Sequence, residues 1–216
     1  MKNTSSRLVV TIAALALATA ANASIINNSS VSFLPASTPA FGGYEQPFAL
    51  DAAANTDYAS LAGGAATHLD LDFGSAQTFE SIAYTDRVTS GGTNGTFVGG
   101  VSDFVTSFEY EFATDAAFSN MVGTVTVNGL VPPGSPTSAA AFLTTTSIPG
   151  ITAQFVRWQV LTTNGAANNN PGASNFEFIN AAAAVPEPAT LGLLGFGLAG
   201  IVMLRRKRAN GRSSIV

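Results

Sequence analysis

The chain has 216 residues, no cysteine, and a net charge of −4 that hides a larger imbalance. Between Ser24 and Ala184 twelve acids stand against two arginines, Arg87 and Arg157, so that stretch carries 12 − 2, or ten, net negative charges. The missing thiols exclude cysteine nucleophiles, thiolate zinc sites and iron–sulfur ligation, and so acidic a body repels phosphate backbones, which argues against nucleic acid as a partner.

Taken in order, the chain begins with an export signal. Lys2 and Arg7 precede an apolar run over 8–18, and Ala21-Asn22-Ala23 then supplies small residues at A-x-A spacing. This pattern predicts a signal peptide, residues 1–23, recognised by the secretory translocon and cleaved after Ala23. An exported domain without disulfides depends on its core alone, and 46% apolar residues make such a core feasible. Residues 24–184 then suit one domain of ordinary size.

Within that domain, strands are expected at 31–34, 68–73, 79–85, 104–112, 121–127, 140–145, 155–161 and 175–179. The clearest is His68-Leu69-Asp70-Leu71-Asp72-Phe73, where period-two alternation predicts a half-buried strand with its acids facing water. Gly74 is read as its stop and Pro149-Gly150 as a turn. No amphipathic helix intervenes, so the fold class is all-β, an antiparallel sandwich with its longer loops gathered at the two ends. Loops are where such a scaffold carries binding.

Candidate chemistry is sparse. His68, the single histidine, begins a strand beside acids and lacks the flanking nucleophile of a triad. Asp70/Asp72 and Glu109/Glu111 are i, i+2 pairs roughly 6–7 Å apart, a spacing that glycosidases use but that outward acids on any alternating strand also produce. Arg87 and Arg157 read as partners of carboxylates or as ligand contacts, and Phe97, in a glycine-rich loop, as a sugar-stacking ring or a plug for the core. Asp86 lies at the end of the 79–85 strand beside Arg87 and joins these as a weak ligand-site candidate.

Several stretches together resemble the discoidin-type, galactose-binding-like family, also called the coagulation-factor C-type domain. They are Asp51 with Thr56-Asp57-Tyr58, Leu69-Asp70-Leu71-Asp72-Phe73-Gly74, Ile82-Ala83-Tyr84-Thr85-Asp86-Arg87, Gln154-Phe155-Val156-Arg157-Trp158, and Gly172-Ala173-Ser174-Asn175-Phe176-Glu177-Phe178. The resemblance implies an eight-stranded jelly roll that binds carbohydrate, lipid or protein at its loop end, often with a structural calcium. Asp51, Asn55, Thr56 and Asn175 stand where the calcium oxygens would come from, although Asn175 replaces a common glutamate.

The C-terminal region carries the most specific pattern. Pro186-Glu187-Pro188 is followed by a 16-residue apolar run over 189–204 and by Arg205-Arg206-Lys207-Arg208. As a helix the run would span about 24 Å, short for a ~30 Å hydrocarbon core, and its basic stop would stay cytoplasmic together with a tail over 209–216. The unit over 185–208 resembles a PEP-CTERM sorting signal. That resemblance implies secretion, transient anchoring in the inner membrane of a Gram-negative bacterium, and processing by an exosortase. The expected function is a non-catalytic cell-surface or extracellular-matrix protein binding exopolysaccharide or another glycan. The alternatives are a structural matrix or biofilm protein without a small ligand and, more distantly, a secreted hydrolase.

Overall fold

A computed structural model describes residues 23–53, 55–89, 95–98, 101–164 and 169–181. The expected sorting motif, apolar run and basic stop, and Ala21 of the signal cleavage site, lie outside the described residues. Among the described residues no helix is long and apolar enough to cross a membrane.

Alternation sets the architecture. In β4 (His68–Thr85) and β7 (Leu143–Thr163) the apolar residues Leu69, Leu71, Phe73, Val156, Trp158 and Val160 point inward and are buried. The two strands pair antiparallel along their length, 68–72 with 155–159 and 77–85 with 143–153. Between those registers the ladder is irregular, and there both chains cross from one layer to the other. Gly74 sits at this crossing with φ of +70°, and Gly150, φ +71°, at a second register shift opposite Phe79 and Ser81, a backbone that glycine adopts without steric cost. The Asp72 carboxylate accepts the Gly74 N–H at 2.7 Å and fixes the bend. The expected stops at Gly74 and at Pro149-Gly150 are therefore bends inside two long strands, which joins 68–73 to 79–85 and 140–145 to 155–161.

One layer adds β2 (Ser32–Phe33) beside the first half of β4, and β5 (Val105–Ala113) and β6 (Met121–Val127) beyond the second half of β7. The other adds β9 (Asn175–Asn180) and then β1 (Ser24–Ile25) beside the second half of β4. All of these pairings are antiparallel. A small separate pair, β3 (Tyr58–Ala59) with β8 (Gly172–Ala173), closes one end. At Gly172 an added Cβ would fall 1.9 Å from the Tyr58 carbonyl oxygen, so this approach requires glycine.

Aromatic rings fill the space between the layers. Phe79 meets Phe112 at 5.5 Å, Tyr84 meets Trp158 at 5.4 Å, and Trp158 meets Phe176 edge-on at 5.6 Å. Burial of such rings is the main driving force for a fold with no disulfide. The strand registers also sort the connections. Thr85, Leu143, Thr163, Val105 and Asn175 share one end, so the loops 86–104, 128–142 and 164–171 all leave it. Among the described residues, the opposite end carries the crossing, the tight turn 114–120 and the outer ends of β1 and β9.

Candidate functional site

The loop end is built around buried carboxylates. Asp86, 1% exposed, follows β4 and accepts the Arg87 and Val105 N–H groups at 2.7 Å each, which ties together both ends of the 86–104 loop. Burial pushes its pKa up to about 7, against the pull of those two backbone donors. Asp57, fully buried, accepts the Val88 and Thr89 N–H groups at 3.2 and 2.8 Å and the Thr89 hydroxyl.

Arg87 lies among them, 7% exposed. Its Nη1 donates to the Asn170 carbonyl at 2.6 Å and lies 3.6 Å from Asp103 Oδ2, while its Nε lies 3.7 Å from Asp57 Oδ2. The guanidinium carbon stands 5.2 Å from the centre of the Tyr44 ring. Arg87 Nε and Asp103 Oδ1 are both buried without a hydrogen-bond partner. Asp103 also holds a left-handed backbone, φ +64°, and strain of this kind tends to collect at binding sites. Unpaired buried polar groups are costly, so an unmet donor on Arg87 and an unmet acceptor on Asp103, two neighbouring residues at the loop end, make this cluster the candidate polar site.

Next to this pair is an aromatic surface. Phe41 is 43% exposed and its ring centre is 6.1 Å from that of Tyr44. The Ala59 carbonyl accepts the Phe41 N–H, and Tyr44 N–H donates to the Phe41 carbonyl, so the turn is anchored to β3. The sequence signal was Phe41-Gly42-Gly43-Tyr44, two rings around a glycine pair, which reads as loop punctuation until Arg87 is seen beneath it.

The other expected residues are placed elsewhere. Phe97 is half-buried and packs edge-on against Phe142 at 6.4 Å, within a cluster that includes Val88 and Phe104. Arg157 is midway along β7 on the outer face of its layer, well away from Asp86 and Arg87. It grips Asp70 with Nε and Nη2 at 2.6 and 2.9 Å, reaches Glu111 at 3.4 Å and covers the Phe118 ring at 4.3 Å. These bonds, Asp70 first, raise its pKa. Asp70 is thus fully buried rather than water-facing, because Arg157 and the Ser37 segment cover it. His68 is half-buried, and its Nε2 lies 2.8 Å from the Ala36 carbonyl oxygen.

The proposed calcium oxygens do not fit a calcium cage. Asp51 already accepts the Ala53 N–H at 2.9 Å and the Thr56 hydroxyl at 2.9 and 2.8 Å. Asn55 is exposed, and Asn175 Oδ1 is buried without a hydrogen-bond partner, beside a cavity of about 210 Å³. Calcium takes six to eight oxygens, usually with several carboxylates, and Asp51 is the one carboxylate among these four. Among the described residues no three Asp, Glu, His or Cys side chains converge. A larger groove, about 740 Å³, runs between 25–33 and 47–52, but its lining has one ring, Phe33, and no cation. A sugar face needs a flat ring surface rather than depth, so the Arg87 cluster is the better candidate.

Comparison with known proteins agrees with the fold. Residues 184–208 match the PEP-CTERM protein-sorting motif. No curated protein matches the chain. Among solved structures, the family 32 carbohydrate-binding module of Clostridium perfringens NanJ, solved with galactose, superimposes with TM-score 0.53 at 16% identity, over 73% of this chain and 99% of that one. The CBM32-3 module of a C. perfringens family 31 glycoside hydrolase gives 0.55 at 20% identity, over 73% and 95%. CpGH89CBM32-5, from the same organism and solved with GalNAc-β-1,3-galactose, gives 0.52 at 17%, over 73% and 100%. The chain is therefore an exported protein addressed to the cell surface by a PEP-CTERM motif, with a body similar in fold to family 32, discoidin-like modules.

Proposed function

We propose that this protein is a non-catalytic, surface-delivered glycan binder. Its sugar is held at the loop end by Arg87, Asp103 and the Phe41–Tyr44 rings. The observation that carries the reading is the cluster itself: two unmet buried groups, Arg87 Nε and Asp103 Oδ1, on residues that Tyr44 links to the exposed Phe41 ring. Two of the modules it resembles in fold were solved with galactose or GalNAc-β-1,3-galactose, which supports a neutral sugar as the ligand class. A neutral ligand also suits a body with ten net negative charges. Catalysis has no support from the acid pairs, because Asp70 and Glu111 are both engaged by Arg157.

Delivery follows from the C-terminal motif. The translocon exports the chain, the apolar run anchors it transiently in the inner membrane of a Gram-negative cell, and an exosortase removes the region beyond Pro186-Glu187-Pro188. The domain is then released to an exopolysaccharide-rich surface or matrix. Strand β9, which leads towards that motif, runs away from the loop end, since Asn175 pairs with Thr85 and Asn180 with Phe79.

Binding of the exported region to a panel of neutral oligosaccharides, galactosides among them, tests the ligand reading. Wild type should bind and Phe41→Ala should lose about ten-fold, the loss of roughly one stacking contact. Absence of wild-type binding across the panel, or full binding by Phe41→Ala, would contradict it. Intact-mass analysis of protein recovered from cells tests processing: loss of everything beyond the Pro-Glu-Pro motif is expected, and an intact Arg205–Arg208 end would leave a simple anchor.

A further inference from the structure

Phe176 and Phe178 of β9 are buried, so Asn175 and Glu177 point to the outer face of their layer. Two cavities adjoin there. The smaller, about 210 Å³, includes in its lining Asn175, Glu177 and five alanines, at 52, 53, 83, 139 and 140. Strand pairing assembles it, with Ala83 opposite Glu177 and Thr85 opposite Asn175, and the two polar residues, two apart on one strand, stand about 6.5 Å from each other. The larger groove, about 740 Å³, continues past Ile25, Phe33 and Leu50 to Asp51. Ala52 and Glu177 line both.

The chemistry of this double site is one-sided. Its charges are the carboxylates of Glu177 and Asp51, and no Lys, Arg or His lines either cavity. Asp51 is held by its own loop, whereas Glu177 is exposed and has no ion pair among the described residues. Each cavity also has in its lining an asparagine whose amide oxygen is buried without a hydrogen-bond partner, Asn175 in the smaller and Asn28 in the larger. The Asn28 amide cannot turn to repair this, because its Nδ2 donates to the Leu50 and Phe176 carbonyls at 3.2 and 2.9 Å. Such a surplus of acceptors and negative charge favours a ligand that donates and is positive, and it repels anions.

We infer that this double site takes a lysine side chain of a partner protein, with the ammonium at Glu177 and Asn175 and the partner's neighbouring apolar residues along the larger groove. An unbranched methylene stem ending in a compact charge with three donors matches alanine walls around a carboxylate and an amide. The hydroxyls of an amino sugar would instead face methyl groups, which leaves them unbonded. A second copy cannot be the partner. Residues 24–184 contain no lysine, and Arg87 and Arg157 are engaged within their own domain. The lysine comes from a different protein, which the acidic body attracts. The site shares no residue with the cluster of Arg87, Asp103, Phe41 and Tyr44, so lysine capture does not depend on glycan binding.

Titration of the exported protein with a blocked peptide, acetyl-Val-Leu-Lys-Val-Leu-amide, tests this. The control peptide carries norleucine for lysine, which keeps the stem and removes the ammonium. The lysine peptide should bind at least about ten-fold more tightly, the worth of one charge-assisted hydrogen bond. Glu177→Gln, at an exposed position, should abolish that preference. Glu109→Gln removes the same charge from β5 in the other layer and should keep it, as should Phe41→Ala at the glycan site. Equal binding of the two peptides, or no binding of either at about 1 mM, would overturn the site. So would a preference that survives Glu177→Gln, or one lost equally in Glu109→Gln, which would reduce it to long-range charge. A glucosamine oligomer that binds where the lysine peptide does not would overturn the protein partner in favour of an amino-sugar polymer.

Discussion

The two arginines of the exported domain have opposite circumstances, and the contrast separates scaffold from site. Arg157 is 24% exposed yet saturated: two short bonds to Asp70, a longer one to Glu111, and a ring beneath it. Arg87 is 7% exposed yet under-bonded, with both carboxylates beyond hydrogen-bonding distance and a buried Nε left open. A bidentate guanidinium–carboxylate pair uses the geometry that arginine offers best, and it clamps β4 to β7 in mid-sheet. A buried guanidinium with unused donors at a loop end is poised for something else. The lesson is that bond saturation, more than burial, distinguishes the two roles.

The largest expected effect breaks the scaffold side. Arg157→Met leaves Asp70 buried without its counter-charge, and removing one partner of such a pair costs about 3 kcal/mol or more. Chemical denaturation should show that loss, while any soluble fraction keeps its glycan affinity.

Next comes pH, acting on the loop end. The Asp86 carboxyl has a pKa of about 7 when folded against 3.8 when free. Between those values the folded state retains a proton that the unfolded state releases, so this stabilisation is complete below about pH 4 and is lost as pH rises through about 7. Unfolding free energy measured across that window should decline with pH by an amount on the order of a few kcal/mol, and Asp86→Asn should flatten the decline.

Smaller effects sharpen the site side. Asp103→Asn keeps the shape but changes the open acceptor, and it should weaken glycan binding by about five- to ten-fold, roughly one hydrogen bond. Isothermal titration checks this. The smallest effect is that of calcium. Thr56 and the Ala53 N–H already hold Asp51, so millimolar calcium or a chelator should move the melting temperature by less than about 1 °C.

Much of the scaffold was legible in the chain. Alternation marked Leu69, Leu71 and Phe73, and Val156, Trp158 and Val160, as inward rows, and the Pro-Glu-Pro motif declared itself by fixed order and spacing. Strand length was not legible. Gly74 looks like a stop in isolation, and only the pairing with β7 on both sides of it turns it into a bend inside one strand. The acids of β4 were read as solvated because period two reports which face a residue occupies, not whether another segment covers that face; Ser37 and Arg157 cover Asp70. At the site, Asp86 and Arg87 stood out as polar residues ending a strand. Phe41, Tyr44 and Asp103 did not, because loop residues 16 to 46 positions away from Arg87 have no periodicity to announce that they meet it.

The central claim is that Arg87, not Arg157, addresses the ligand. The direct measurement is affinity for the best-binding oligosaccharide of the panel in two lysine variants that preserve charge, Arg87→Lys and Arg157→Lys, each first shown to be folded by circular dichroism. The account predicts at least a ten-fold loss for Arg87→Lys, whose ammonium cannot reproduce the Nε donor, and unchanged affinity for Arg157→Lys. Equal affinity in both variants, or a loss confined to Arg157→Lys, would contradict it.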